Sequence, residues 1–587
     1  MKPRLSPRDL VKVVFTWFMV IACGALLFLL FMSKELEAIT DIDALDYAQV
    51  ARNVAEGNGY STDLVRPLSL ANVPQINHHP EMTFMPLHPL VMAAIISVVG
   101  ANKQAVALSS AIPFMLTLIL VYLLALKWFD KRIAIISVLL MATNIWILRY
   151  SISGLEAPLL GLLFTALLFV LYTAEGSQKQ SWWMIGVGVL VALLALTKEV
   201  WGVVFVPVLF YVWLSTPPKR RLLNLAIVVV SFVVVLIPWG ARMAHLTGNP
   251  LFTWRWYESV METQSNPANT LYRSYRAGLQ SPMQMILLHP KEMLVKMLSG
   301  ITVLYGALPT AIGPYLAGFF LVAILFPLGE ARFERLRYLL YISYGLVFAV
   351  LVVILPAVRM LYPIVPVAGI IAAAAYLRVL TPLMRRLRPP LEGRVTFWAI
   401  VALILVQATP LALNLFEPED PTISDNLAKI QALAKSVSED AKEGPIVTDV
   451  PWWIAWYGHH TAIWVPRRWE DLDRMEQDIG QVRLLLLTPW IAQWADREHA
   501  EDWAKLWSAA QSGQPTESHG FVVLQRYPNN WILFVRTPQA ATPPPAAAAP
   551  AKAAPAKAAP AKAAPAKAAP AKAAPAAASG KGANASG

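Results

Sequence analysis

Asp41-Ile-Asp-Ala-Leu-Asp-Tyr-Ala-Gln-Val-Ala-Arg-Asn-Val-Ala-Glu-Gly-Asn-Gly-Tyr60 follows closely on an apolar run, residues 13–32. That run is long enough to cross a bilayer, which takes about 20 residues. An acid-rich helix start at the mouth of such a segment lies at the depth of lipid head groups. Carboxylates there meet both membrane-bound esters and water-borne groups, so the stretch points to chemistry at a membrane surface.

Composition agrees. Of the 587 residues 57% are hydrophobic and 15% charged, with a mean hydropathy of +0.50, whereas a soluble domain is about 45–50% apolar and 25% charged. The chain reads as a polytopic α-helical membrane protein. Its net charge of +12 does not indicate nucleic acid, because the basic residues fall in short clusters between apolar runs and in a repetitive tail. One cysteine, Cys23, excludes an intrachain disulfide and a cysteine-based zinc site. Val20-Ile-Ala-Cys23 loosely resembles a lipoprotein cleavage box, but the apolar run continues through Met32, which favours an uncleaved anchor.

Apolar runs occur at 12–32, 105–127, 133–148, 157–174, 183–197, 199–215, 221–240, 305–328, 336–356, 360–381 and 394–415. Lys2, Arg4, Arg8 and Lys12 place the N-terminus in the cytoplasm, and Lys127/Lys131/Arg132, Lys179, Lys219/Arg220/Arg221, Arg332/Arg335/Arg337 and Arg385/Arg386/Arg388 fall in every second loop, as the positive-inside rule requires. The alternation holds only if Pro86–Val99, too short to span, lies in the interface. The expectation is about 11 spans in a bacterial inner membrane, residues 1–415, with 33–104 as a large first external loop. The texture changes after 415: Val447–Val450, His460–Val465, Val482–Leu487, Phe521–Arg526 and Ile532–Arg536 read as strands with amphipathic helices between them, such as Glu498–Gln511, and Tyr527–Trp531 as a turn. This predicts an external α/β domain over 416–537. Beyond it, Ala-Ala-Pro-Ala-Lys repeats place Lys552, Lys557, Lys562, Lys567 and Lys572 in a low-complexity, disordered tail, 538–587. Proline at every fifth position forbids a continuous helix there. The tail reads as a solvated linker, with contact to an anionic wall polymer or lipid surface as the alternative.

Several polar residues stand out. Asp41 suits a helix cap, but Asp43 and Asp46 exceed what capping needs and share a helix face. Glu156, before Pro158 in Arg149-Tyr-Ser-Ile-Ser-Gly-Leu-Glu-Ala-Pro158, is either a first-turn acid or a second carboxylate facing the first. Asn77-His-His-Pro-Glu81, with His88 nearby, offers His78, His79 and Glu81 as metal ligands or as ordinary loop residues; His459-His460 is a weaker pair of the same kind. Arg66, Arg149, Lys198 and Arg359 sit at external helix ends, where they either anchor a helix or contact a lipid phosphate. Arg359 opens Arg-Met-Leu-Tyr-Pro-Ile-Val-Pro366, in which Pro363 pins a helix start.

In order, these motifs resemble the GT-C superfamily of lipid-linked-sugar glycosyltransferases, in particular its aminoarabinose transferase and protein O-mannosyltransferase branch. The resemblance covers residues 10–415. It is carried by Asp43-Ala-Leu-Asp-Tyr47-Ala48, Ala51-Arg-Asn53, Gly57-Asn-Gly-Tyr60, Pro86-Leu-His-Pro-Leu90, Glu156-Ala-Pro-Leu159 and Arg359–Pro366. It implies a polyprenyl-phosphate sugar donor and an external acceptor (lipid A, a glycolipid or polysaccharide, or a protein), with Asp43 as catalytic base and Glu156 as the second-loop acid. Arg359, Arg149, Lys198 and Arg66 are then phosphate contacts, and Asp46, Tyr47, His88 and Tyr362 are supporting residues. One departure matters: where some relatives carry a lysine before Pro-Pro-Leu that contacts the donor phosphate, this chain has Phe84-Met85. Another cation, or a divalent metal (Mg, Mn or Zn), has to fill that role. The competing readings are a flippase for lipid-linked sugars and a wall-tethering scaffold.

Overall fold

The computed structural model describes residue 26 and residues 28–275, 282–387, 392–417, 421–441, 444–514 and 519–537. The expectations for most of the first apolar run, for Cys23 and for the tail from 538 lie outside these residues.

Among the described residues eight helices are long and apolar enough to span a membrane, or nine if the pair Lys131–Ala142 and Ile145–Ser151, bent by 68°, is one span. Seven of the eight, Lys103–Trp128, Ala157–Ala174, Gln180–Thr197, Pro218–Thr247, Ala331–Val353, Val358–Arg378 and Arg394–Phe416, overlay runs read from the sequence. Glu199–Ser215 is a shorter apolar helix, and it opens with a 3-10 turn over Glu199–Val204. One span is displaced. The run expected at 305–328 is a helix from Pro290 to Ile312, followed by a break at Gly313, φ 111°, and a short helix Pro314–Val322. Lys296 concealed the earlier start. Its ammonium is buried and donates to the carbonyls of Glu258, Ser259 and Ile354 at 2.7–2.8 Å, so the charge is satisfied inside the helix pack.

Polar residues set the helix starts. Asp41 accepts from the amides of Asp43, 2.9 Å, and Ala44, 3.3 Å, and caps Ile42–Ala55. Asn102 caps Lys103–Trp128 through Ala105 N. Leu87–Val99, the expected interfacial segment, is a helix that ends on Gly100 at φ 88°; a left-handed backbone of this kind suits glycine.

The strands are β1 (Ser61–Thr62), β2 (Leu64–Val65), β3 (His79–Pro80), β4 (Ile446–Thr448), β5 (Ala462–Trp464), β6 (Leu484–Leu487), β7 (Phe521–Arg526) and β8 (Ile532–Arg536). β1 pairs with β3, and the others form one sheet in the order β2-β5-β4-β6-β8-β7. β2, β5, β4 and β6 run parallel, while β8 and β7 are antiparallel. The central strands Ile-Val-Thr and Leu-Leu-Leu-Leu are buried throughout, as expected for parallel strands covered on both faces. At their carboxyl ends Asp449 accepts from the Thr488 amide and hydroxyl, the latter at 2.7 Å.

β2 is the unexpected element, because it comes from the first long loop and supplies the sheet's edge. Residues to Thr537 accordingly form one compact unit. The joint is reinforced by Arg52, which is buried on the Ile42–Ala55 helix. It donates to the carbonyls of Trp456, 3.1 Å, and Ala455, 2.9 Å, to His459 Nδ1 and to the Asp63 carboxylate, both 2.9 Å. Arg273, fully buried, makes a second tie through the Val465 and Pro466 carbonyls.

Candidate active site

Glu156 stands before the first residue of Ala157–Ala174, Lys198 after the last residue of Gln180–Thr197, and Arg359 at the start of Val358–Arg378. These helix ends gather beside the first turn of Ile42–Ala55, which carries Asp43. Arg359 Nη2 bonds the Asp43 carboxylate, while its Nε lies 3.6 Å from Glu156 Oε1. Lys198 Nζ lies 3.3 Å from the same oxygen. The two acids therefore converge, bridged by one guanidinium. Glu156 makes no capping bond through its side chain; the carboxylate is turned to the cations instead.

Exposure separates the members. The side chain of Glu156 is 0% exposed and that of Lys198 6%, whereas Arg359 is 20% and Asp43 33% exposed. The open side of the cluster is thus the Asp43–Arg359 pair. Burial alone would raise the Asp43 carboxyl, but Arg359 and then Lys198 outweigh it and hold Asp43 ionised below its ordinary range. Glu156 is likewise lowered: burial opposes ionisation, and Lys198 and Arg359 override it.

A second cluster lies one helical turn along. Asp46 bonds Arg66, and Arg66 Nη1 is 4.0 Å from Glu81 Oε2, all of them buried. Here burial wins, and Asp46 is pushed up to about 6 despite Arg66. Gln49 donates to Asp46 Oδ1 at 2.9 Å and to Thr62 Oγ1 at 2.7 Å. Between the clusters stands an aromatic wall: Tyr47 is 4.5 Å from Phe84 and 5.0 Å from His88, centroid to centroid. His88 Nε2 donates to the Gly154 carbonyl at 2.8 Å. Tyr362, fully buried, stacks with Trp146 at 5.9 Å.

The remaining candidates sit elsewhere. Arg66 is spent on Asp46 and Glu81, so in this arrangement it is not offered to a phosphate. The Arg149 side chain is 58% exposed and lies 3.4 Å from Glu35, apart from the Asp43 cluster. The metal set is not assembled. Both ring nitrogens of His79 are engaged, by the Gln75 carbonyl at 2.7 Å and Ser69 Oγ at 2.8 Å, and Glu81 Oε1 accepts from the amides of Thr83 and Phe84. His78 is exposed on a loop at φ 51°. His459 and His460 also diverge, toward Arg52 and the Gly444 carbonyl. Among the described residues no three of His, Cys, Asp and Glu gather as a metal centre. The donor chemistry agrees, since each site carboxylate already faces a guanidinium or ammonium.

Sequence reasoning missed Arg242, which donates to the carbonyls of Glu81 and Tyr60 at 2.9 Å and fastens the loop behind Phe84. Two cations flank Phe84, which stands where some relatives have a lysine. Lys198 lies 5.8 Å and Arg66 5.4 Å from the Phe84 ring centroid. Lys198, between two apolar runs, carried that signal.

Residues 78–240 match the family model for dolichyl-phosphate-mannose-protein mannosyltransferase. No curated protein matches the sequence. ArnT from Cupriavidus metallidurans, crystallised with undecaprenyl phosphate, superposes with a TM-score of 0.55 at 14% identity, over 89% of this chain and 98% of that one. The Archaeoglobus fulgidus oligosaccharyltransferase in complex with Zn and sulfate gives 0.53 at 13%, over 88% and 73%. The archaeal oligosaccharyltransferase AglB from the same organism, bound to an inhibitory peptide and a dolichol-phosphate, gives 0.50 at 12%, over 89% and 75%. At these identities the superpositions show a shared membrane fold, and the family model matches one segment of the chain.

Proposed function

We propose that this protein transfers a sugar from a polyprenyl-phosphate donor to an acceptor on the outer side of a bacterial inner membrane, with inversion at the anomeric carbon. The observation that carries the reading is the convergence of Asp43 and Glu156 on Arg359, with Lys198 behind, where the ends of three apolar helices gather. Undecaprenyl phosphate and dolichol-phosphate bound to ArnT and AglB support the donor class.

Glycosyl transfer from a phosphodiester breaks the anomeric C–O bond to phosphate and forms a C–O bond to the acceptor. The leaving electron pair ends on the phosphate and the acceptor proton on a base. The phosphate needs positive charge, and charge placed in a water-poor site is often the largest catalytic contribution. Arg359, flanked by Lys198, supplies it. In the resting arrangement Arg359 is neutralised by Asp43, which leaves that carboxylate a weak base. A donor phosphate competes for the same guanidinium. As it takes the bond, Asp43 loses its main acidifying partner and becomes the stronger proton acceptor, poised for the acceptor hydroxyl. Glu156, sealed from water, keeps Lys198 and Arg359 oriented. The site carboxylates are paired with Arg359 and Lys198, which supply the positive charge.

Asp43→Asn is the test. Reconstituted with a panel of polyprenyl-phosphate sugars and envelope acceptors, it should release polyprenyl phosphate about 10²–10⁴-fold more slowly while still binding the donor; full turnover by this variant overturns the assignment. Donor lipid carried across the bilayer without sugar transfer, in the parent protein, would favour the flippase. Mass spectrometry of lipid A, glycolipids and glycoproteins from a deletion strain would name the sugar and acceptor.

A further inference from the structure

A second concavity lies apart from the acid cluster, where the sheet domain meets the membrane helices. It encloses about 210 Å³ and is lined by Ala38, Ala101, Asn102, Lys103, Gln431, Trp456, Tyr457 and His459. None of the cluster residues takes part. We propose that this cleft binds the phosphate of an anionic membrane lipid head group. The inference rests on the span assignment and not on the transferase reading.

Depth is the first argument. Lys103 opens a 26-residue span, and Ala38 closely follows the first apolar run, so the cleft lies at the boundary between hydrocarbon and head groups. Trp456 and Tyr457 are the residue types that favour that boundary. Size is the second: ligand pockets for drug-sized molecules run to about 300–1,000 Å³, so this smaller space suits a head group rather than an oligosaccharide.

Polarity is the third argument. The lining contains no carboxylate. Lys103 Nζ donates one hydrogen to the Glu37 carbonyl at 2.7 Å, and an ammonium has three. His459 Nδ1 lies 2.9 Å from Arg52 Nη1. A guanidinium only donates, so Nδ1 must accept and Nε2 must carry the ring hydrogen. Burial and then Arg52 lower the imidazole's pKa, which holds it neutral; Glu56 and Asp63 act on it in the opposite sense, and Asp63 is itself paired with Arg52. The cleft therefore presents an ammonium and an imidazole N–H, both donors. A bound phosphate would brace the joint that Arg52 makes with the sheet domain.

The test uses the full-length protein in nanodiscs of phosphatidylcholine, with or without phosphatidylglycerol. Native mass spectrometry should show phosphatidylglycerol retained by the parent protein and by Asp43→Asn, and held about fivefold less well by Lys103→Gln, with recovery in Lys103→Arg. Equal retention by Lys103→Gln overturns the proposal. So does an equal effect of millimolar inorganic phosphate on the parent protein, which would make the site one for free phosphate. Should Lys103→Gln fail to fold, amide exchange on the parent protein decides. Phosphatidylglycerol must slow exchange at 101–105 and 456–460, and unchanged exchange sinks the idea.

Discussion

Two ion clusters share the helix Ile42–Ala55 and differ in the way that matters for chemistry. Asp43 and Arg359 are partly open to solvent, and the acid is held down by cations. One turn along, the side chains of Asp46, Arg66 and Glu81 are 2%, 9% and 1% exposed, and burial pushes Asp46 up. The first is built to exchange partners, the second to stay closed. Breaking a buried pair on one side costs about 3–5 kcal/mol, because the partner is left as an uncompensated charge; an exposed pair contributes about 0–1 kcal/mol.

The sharpest way to break the contrast is by paired substitutions. Asp43→Asn should cut transfer about 10²–10⁴-fold, the range of a positioned base, with the melting temperature of the purified protein little changed. Arg66→Met should do the reverse. Stability falls by about 3–5 kcal/mol in denaturant titration, while surviving folded molecules keep most of their turnover. Large activity loss without instability at Arg66 would erase the distinction.

The pH dependence sharpens it further. Asp46 binds its proton more tightly in the folded chain, at about 6, than its ordinary 3.8. Its contribution therefore falls as pH rises from about 4 to 6 and is constant above. Asp46→Asn should remove that downward slope from a plot of melting temperature against pH. Asp43, lowered, contributes above its ordinary range and loses that contribution only on acidification below it, so Asp43→Asn should leave the slope between pH 4 and 6 intact.

Smaller effects bound the site. A Cβ on Gly161 would lie 2.8 Å from Tyr362 Cε1, so Gly161→Ala should tilt that ring and cost about 1–3 kcal/mol as overpacking, seen in thermal unfolding. Arg149→Gln, at an exposed pair, should change stability by less than about 0.5 kcal/mol and leave donor binding intact in the same titration.

Much of this was legible in the chain. Long apolar runs fix spans because lipid leaves backbone groups no partner outside a helix, and Asp41 announced its cap. The order of Asp43, Glu156 and Arg359 along alternating loops implied that they meet on one side. What stayed hidden was non-local. Lys296 looked like a span breaker, since nothing nearby shows the three carbonyls that receive it. His78, His79 and Glu81 looked like ligands, since adjacency in sequence says nothing of Ser69 and Gln75 claiming the His79 ring. β2 has two residues, too few for any alternation to register.

β2 carries a lesson about assembly. Leu64 and Val65 must wait for Ala462 and Ile463, their partners 398 residues further along the chain. During synthesis β2 stays unpaired until β5 emerges, and the β5 edge then stands open until β2 docks, a ready template for a wrong neighbour. Long-range pairing of this sort is slow to form. Expressed alone, the C-terminal domain would keep that unguarded edge and should aggregate; supplying Ser61–Pro67 as a peptide or a fused strand should quiet it.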